Sequence, residues 1–357
     1  MTQTPTAAEE ALANATDDAS LARSIARSAE IEADIVVNPG RYRMLTGVRP
    51  TGNMHLGHYF GTMHSWKTIQ DAGVDTWILV ADYQVITDRD GVGPIRERVL
   101  SLVTDALAVG VDPQRSTIFA HSAVPAQNQL MLPFLSLVTE SELHRNPTVK
   151  SELEATDGRA MSGLMLTYPV HQATDILFCQ ANLVPVGKDQ LPHLEQARLI
   201  AQRFDKRYGR AFKEHPVFRR PEALLSEAPM LLGLDGEKMS KSRRNTIELG
   251  MSADETAKAL KKAKTDSDRV ITYDPVNRPE VSNLLMLASL CGAGAPEEIA
   301  KRIGDSGAGA LKRVTTEAVN EFFAPIRARR AELAANEDYL LKVLGQGNAP
   351  ANEVANR

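Results

Sequence analysis

His55 and His58 stand three residues apart in the run Pro50-Thr51-Gly52-Asn53-Met54-His55-Leu56-Gly57-His58. On the first turn of a helix that spacing puts both imidazoles on one face, where they can donate hydrogen bonds to the oxygens of a single ligand. The preceding segment, Arg43 to Val48, is a short apolar run that predicts a buried strand, and Leu56 to Ala72 has the length and apolar period of a helix. A strand, a glycine-containing turn and a helix N-terminus make an anion site, because free backbone N–H groups and the positive end of the helix dipole both face the turn. A phosphate fits there, and Gly52 and Gly57 let the backbone come close to it. The spacing alone leaves two other uses open: half of a metal site, or a pair that caps the helix and packs.

A second candidate lies far downstream. Asp235-Gly236-Glu237-Lys238-Met239-Ser240-Lys241-Ser242-Arg243-Arg244 carries two lysines and two small hydroxyls on a loop flanked by turn residues. By itself such a run reads as a solvated surface turn. The two stretches together, in this order, point to one polyphosphate held from two sides.

The elements that must position these groups are legible in the pattern. From Arg43 to about His193, apolar runs near Met44–Val48, Thr76–Ala81, Thr117–His121 and Leu183–Val186 alternate with helical stretches. That alternation predicts an α/β fold, a doubly wound parallel sheet with ligands beyond the carboxyl ends of its strands. His55, Asp82 and Gln84 each follow a strand and are expected to converge on one crevice. Residues 146–159 lose the apolar period and read as a loop, either a lid or a surface excursion. After Lys238 the pattern becomes all-helical, with helices expected over Ala253–Lys264, Val281–Leu290, Pro296–Ile303, Gly309–Arg330 and Glu337–Leu344. The expected division is an acidic, mobile extension over 1–40, a catalytic domain over 41–234, the loop with a helical domain over 235–330, and a C-terminal helix and tail over 331–357. In the extension, Leu21, Ile25, Ile31 and Ile35 form a helical stripe that ends at Asn38-Pro39-Gly40.

Composition narrows the class. The chain has 357 residues, 43% of them hydrophobic, enough for a sizeable core in two domains. No apolar run is long enough to cross a bilayer, so no membrane role is expected, and the acidic N-terminus lacks the marks of a signal or transit peptide. The expected compartment is the cytoplasm. Two cysteines, Cys179 and Cys291, exclude a disulfide scaffold and a cysteine-built zinc or iron–sulfur site. The net charge of −4 does not mark a nucleic-acid binder, so any RNA contact must be local. Residues 238–264 supply such a patch, eight basic side chains against three acidic ones, whereas residues 1–40 carry seven acidic against two basic.

The two stretches resemble the signature sequences of class I aminoacyl-tRNA synthetases, the second being Lys-Met-Ser-Lys-Ser without a change. Further matches point to the tryptophanyl branch: Thr167-Tyr168-Pro169, Ala173-Thr174-Asp175-Ile176-Leu177, Val184-Pro185-Val186-Gly187-Lys188-Asp189-Gln190 with His193, Glu195 and Arg198, then Thr265-Asp266-Ser267 and Ser282-Asn283-Leu284-Leu285. The likeness runs from about Arg43 to the C-terminal helices. It implies a Rossmann-like sheet, a helical anticodon-binding domain, ATP with its Mg²⁺ but no dedicated metal cage, L-tryptophan and tRNA(Trp) as partners, and a homodimer. The extension would be left as a handle for a protein partner.

The resemblance also implies roles. His55, His58, Lys238, Lys241 and Ser242 would carry the phosphate chemistry. Arg49, Pro50, Thr51, Gly57, Gly187, Lys188, Asp189, Met230, Met239 and Ser240 would complete the ATP site. Asp175 would accept the indole N–H, which can only donate, so a carboxylate is its natural partner. Tyr168 and Gln190 would hold the α-amino group, while Leu45, Val184 and Val186 would wall the ring. Several positions depart from the bacterial pattern: His55 and His58 replace Thr and Asn of some tryptophanyl enzymes, Arg49 replaces a frequent Gln, Gln84 and Gln172 stand where His and Met are common, and His171 replaces an aliphatic residue. Rival readings are the tyrosyl enzyme, a small nucleotidylyltransferase, and a paralogue that acts as a binding subunit.

Overall fold

Five strands pair in parallel among the described residues of the computed structural model, which are 7–87, 93–154, 161–213, 216–225, 231–240 and 243–357, with the side chains of 7–20 and 151–154 set aside. They are β1 (Arg43–Val48), β2 (Asp75–Val80), β3 (Ser116–Ala120), β4 (Leu183–Val186) and β5 (Glu222–Leu225), ordered β3-β2-β1-β4-β5. Parallel neighbours require crossovers, and helices supply them. The crossovers and flanks are α1 (Ala7–Val37), α2 (Leu56–His58, a π-turn over Tyr59–Met63, then His64–Asp71), α3 (Ile95–Ala108), α4 (Pro125–Gln129), α5 (Pro147–Glu154), α6 (Gly163–Phe178) and α7 (Leu191–Tyr208). Then come α8 (Ala253–Lys261), α9 (Pro279–Leu290), α10 (Pro296–Ile303), α11 (Gly307–Ala334) and α12 (Glu337–Ala355).

Strand order reverses between β1 and β4, so the crevice beyond their carboxyl ends is the place where such sheets receive ligands. The segment that follows β1 carries His55, and the segment that follows β4 carries Gly187 to Gln190. The sheet is covered on both faces, which is why its strands are apolar without interruption. One face packs Met44, Ile78 and Ile118 against α2 and α3, and that core continues unbroken through Met239 and Ile247 to Leu285 and Phe323 of the helical part. Rings of Tyr59 and Phe60 meet Phe323 at 4.9 and 5.9 Å, so α2 and α11 share one aromatic cluster. The core therefore shows no break at residue 235. The other face packs Leu45, Trp77, Leu79 and Phe119 against Ala173, Ile176 and Leu177 of α6 and Phe204 of α7.

Four local expectations need correction. Strand β5 is absent from the pattern because Glu222-Ala223-Leu224-Leu225 has no β-branched residue and reads as helix or loop. Residues 147–154 form α5 rather than a loop: Pro147 opens the helix, where a missing N–H costs nothing, and the Asn146 side-chain Oδ1 accepts the Thr148 N–H at 3.0 Å. The N-terminal extension is not a free tail from Leu21 onward. Ile31 and Ile35 are buried, and the Ser28 hydroxyl accepts the Leu225 N–H at 3.0 Å, so α1 covers the outer edge of β5. The expected tail beyond Leu344 is not a tail either, since the helix runs on to Ala355. Helix α12 covers the outer edge of β3, where Gly347 approaches so closely that a Cβ would lie 1.9 Å from the Ile118 carbonyl oxygen. Only glycine permits that approach.

Candidate active site

The two signature stretches touch. Leu56 N–H donates to Ile247 O at 2.9 Å and Leu249 N–H donates to Met54 O at 2.8 Å, an antiparallel bridge with His55 opposite Glu248. Asn53 adds a side-chain bond to the Glu248 carboxylate at 2.8 Å. Where α2 begins, a Cβ on Gly57 would stand 3.1 Å from the His55 ring, so glycine gives that ring room, and 3.5 Å from the Met239 sulfur, which places the downstream loop in contact with the helix start. His55 is buried and His58 half-buried, their rings 3.6 Å apart, and the His55 backbone N–H donates to His58 Nδ1 at 3.3 Å, leaving the His58 ring proton on Nε2. Pro50 is buried, Thr51 half-buried and Arg49 exposed. An open cavity of about 670 Å³ is bounded by Thr51, Gly52 and Asn53 on one side and Arg244, Thr246 and Glu248 on the other, with Arg98 along its wall.

The downstream loop is stapled by Asn245, which is only 3% exposed. Its amide donates to Asp235 Oδ1 at 2.7 Å and to Lys238 O at 3.1 Å, and its carbonyl accepts the Ser240 N–H at 2.8 Å. The Asn245 amide donating to it is the foremost reason the Asp235 carboxyl is held below its usual range. Asn283 of α9 grips the same hairpin, accepting from Leu232 N at 2.8 Å and donating to Leu232 O at 3.2 Å. Lys238 is exposed and Met239 buried. Lys241, Ser242 and Met230 lie outside the described residues.

Asp175 sits on the inward face of α6, 5% exposed. Its Oδ1 accepts from His121 Nε2 at 2.9 Å and from Gln127 Nε2. Burial disfavours a charge on His121, yet the Asp175 carboxylate, with Asp82 beyond it, outweighs that penalty and raises its pKa. Next to it His171 is held neutral: Gln84 Nε2 donates to its Nδ1 at 2.6 Å and its Nε2–H donates to Asn128 at 2.7 Å, while burial lowers its pKa. Asp82 accepts from both the N–H and the hydroxyl of Ser122. His121, His171 and Asp175 bring one ligand atom each within 4.8 Å of one another. Tetrahedral zinc with bonds of about 2.0 Å would need them roughly 3.3 Å apart, and both His171 nitrogens are already engaged, so the trio is spaced for hydrogen bonding. Asp82, bonded to Ser122, and Gln84, bonded to His171, thus lie beside His121 on the Asp175 side, whereas His55 lies in the bridge with Glu248.

Register accounts for the predicted apolar wall. Met44 lies beside Leu183, which puts Leu45 of β1 next to Val184 of β4, with Val186 two residues on along the same face. All three are buried in the core that α6 covers. Tyr168 is half-buried, its hydroxyl 3.5 Å from His193 Nε2, and Asn146 donates to the other ring nitrogen at 3.4 Å. Burial pushes His193 down to about 4. Gln190 donates to Asp189 at 3.0 Å and accepts from Gln172 at 3.5 Å, next to half-buried Gly187 and exposed Lys188.

Comparison with known proteins gives this geometry its family. The model of the class I tRNA synthetases (W and Y) matches residues 38–324. A tryptophan–tRNA ligase of Treponema pallidum is 37% identical over 324 residues, covering 86% of this chain and 91% of that protein. Another from Thermotoga maritima is 36% identical, covering 88% and 95%. The chain belongs to the tryptophan–tRNA ligase family. A solved family member, tryptophanyl-tRNA synthetase from Campylobacter jejuni complexed with ADP and tryptophan, matches with a TM-score of 0.76 at 30% identity, over 88% of this chain and 96% of that one. A tyrosyl-tRNA synthetase of Archaeoglobus fulgidus, 22% identical with a TM-score of 0.61, shares the fold alone. Family membership removes the nucleotidylyltransferase reading. Within this ligase family member, sequence reasoning passed over Asn245, His121 and Gln127. The one available signal for Asn245 was a polar residue placed two positions before the apolar Ile247, and His121 and Gln127 had none.

Proposed function

We propose that the chain activates L-tryptophan with ATP, forming tryptophanyl-adenylate and pyrophosphate, and then passes the aminoacyl group to the 3′ end of tRNA(Trp). The tryptophan carboxylate attacks the α-phosphorus, the bond to the bridging oxygen breaks, and pyrophosphate leaves. No side-chain nucleophile is required. Rate enhancement comes from positioning and from donors aimed at the phosphate oxygens. The observation that carries this reading is the backbone bridge between Met54–Leu56 and Ile247–Leu249, which holds the segment just past the second signature stretch against the first.

His55, Gly57 and His58 line the triphosphate from the side of α2, with Arg49, Pro50 and Thr51. Lys238, Met239, Ser240, Lys241 and Ser242 close from the other side, and Gly187, Lys188, Asp189 and Met230 complete the nucleotide site. The donors there, N–H groups, imidazoles and ammonium groups, suit phosphate oxygens, so Mg²⁺ is expected to enter on the nucleotide, where it neutralises phosphate charge. Asp175 reads the indole N–H, Tyr168 and Gln190 hold the α-amino group, and Leu45, Val184 and Val186 wall the ring. A ligand that leaves a buried carboxylate unpaired is rejected by about 10⁴-fold, so editing is not required. Exposed Lys258, Lys261 and Lys262 on and after α8 support tRNA contact. Exposed Ile86 and Leu132, at 55% and 76%, support a homodimer through the surface beyond β2 and β3. The cytoplasm is the proposed compartment; among the described residues no helix is long and apolar enough to cross a membrane.

Pyrophosphate exchange with each of the twenty amino acids, followed by charging of unfractionated tRNA, tests the reading. Exchange and charging with tryptophan alone are expected. Exchange with tyrosine instead, or with no amino acid, overturns it.

A further inference from the structure

The C-terminal helix reaches the amino-acid site through two asparagines. Strand β3 is the edge of the sheet, so no neighbouring strand satisfies its outward backbone groups. At its carboxyl end two side chains of α12 do so instead. Ala120 N–H donates to Asn348 Oδ1 at 3.2 Å, and Asn352 Nδ2 donates to Ala123 O at 2.7 Å. These two bonds bracket His121 and Ser122. His121 is fully buried, with the Tyr83 ring stacked on it at 6.0 Å and the His171 ring 4.8 Å away, so its own backbone decides where Nε2 points. It points at Asp175 Oδ1, which also takes Gln127. With both donors on one oxygen, Oδ2 has no donor among the described residues and is the atom left for a substrate N–H.

We propose that α12 is a positioning element for amino-acid recognition: Asn348 and Asn352 fix the 120–123 turn, and His121 in that turn fixes the Asp175 carboxylate with Oδ2 turned toward the ring nitrogen. This rests on the reading of Asp175 as the indole acceptor. Residues 337–355 lie beyond the span matched by the family model, which ends at residue 324, so the device acts from outside the catalytic sheet.

The directions of the two bonds design the experiment. Asp at 348 keeps the acceptor that Ala120 N–H needs, whereas Asp at 352 has the shape of asparagine but no donor for Ala123 O. In pyrophosphate exchange, Asn352→Asp is expected to raise the KM for tryptophan about three- to tenfold, the size of one hydrogen bond, with the KM for ATP within about twofold of the parent. The uncharged Asn352→Ala shows the same split, which covers the case that a carboxylate at this position prevents folding. Asn348→Asp behaves like the parent. In an Asp175→Asn background the effect of Asn352→Ala disappears, because the group it positions is already altered. An unchanged KM for tryptophan in Asn352→Ala, equal rises for both substrates, or effects that add to those of Asp175→Asn overturn the inference while leaving the role of Asp175 standing. An Asp175→Asn protein with a normal KM for tryptophan overturns both.

Discussion

Arg330 binds Asp105 across the seam between the helical part and the sheet. The guanidinium Nε lies 2.6 Å from the carboxylate and Nη2 lies 2.9 Å from the Ser101 hydroxyl, with Asp105 only 1% exposed. The pair ties α11 to α3, and the same guanidinium lies against Gly250, just past the second signature stretch. Removing one partner of a buried ion pair leaves the other charge uncompensated. Arg330→Ala is therefore expected to cost about 3 kcal/mol or more, seen as a fall in melting temperature of several degrees. Asp105→Asn with Arg330→Met, which removes both charges, should recover most of it.

Asp175 and Lys238 are expected to fail in different kinetic constants. Asp175→Ala removes a charged acceptor and should raise the KM for tryptophan about ten- to hundredfold with little change for ATP. Lys238→Ala should slow adenylate formation by roughly a hundredfold while tryptophan binding, followed by equilibrium titration, stays near the parent value. Equal effects of Asp175→Ala on both substrates, or an unchanged rate in Lys238→Ala, would remove the residue from its assigned role.

His193 gives the fold a dependence on acid. Burial lowers its pKa to about 4 against an ordinary 6.5, partly opposed by Asp189. A histidine depressed in the folded state contributes fully above pH 6.5, and that contribution is lost as pH falls from 6.5 to 4, because the unfolded chain takes up the proton first. The loss is on the order of 3 kcal/mol by pH 4. Melting temperatures recorded across that window should fall less steeply for His193→Gln than for the parent.

The N-terminal extension is expected to matter for stability and not for chemistry. Deleting residues 1–40 removes buried Ile31 and Ile35, worth about 1.5–3 kcal/mol each, along with the Ser28 bond to Leu225. The truncated protein should melt at a lower temperature yet form adenylate at the parental rate below that transition. A lost rate at full folding would place the extension in catalysis.

The parallel sheet was readable because β1 to β4 are apolar runs spaced by helical patterns, and the crevice followed from strands that end in polar, glycine-containing turns. What escaped is tertiary. Asn146-Pro147 reads as a turn until α5 is seen to start on the proline. The glycines and proline of 345–357 read as a soft end, although Gly347 is what lets α12 reach β3. A π-turn inside α2 changes no residue type and leaves no mark in the apolar period. Of the candidate site, the two signature stretches and Asp175 were legible as local patterns. The residues that hold them, Asn245, His121 and Gln127, are far from their partners in sequence and meet them only after folding.

Both rims of the sheet are closed by the chain's own extremities, α1 over β5 and α12 over β3. Peeling either helix away would bare a row of unpaired amides and carbonyls ready to template another molecule. Removing α1 should therefore show itself first as self-association at high concentration, seen by light scattering, and only later as a weakened enzyme, whereas removing α12 should bring self-association together with weakened use of tryptophan.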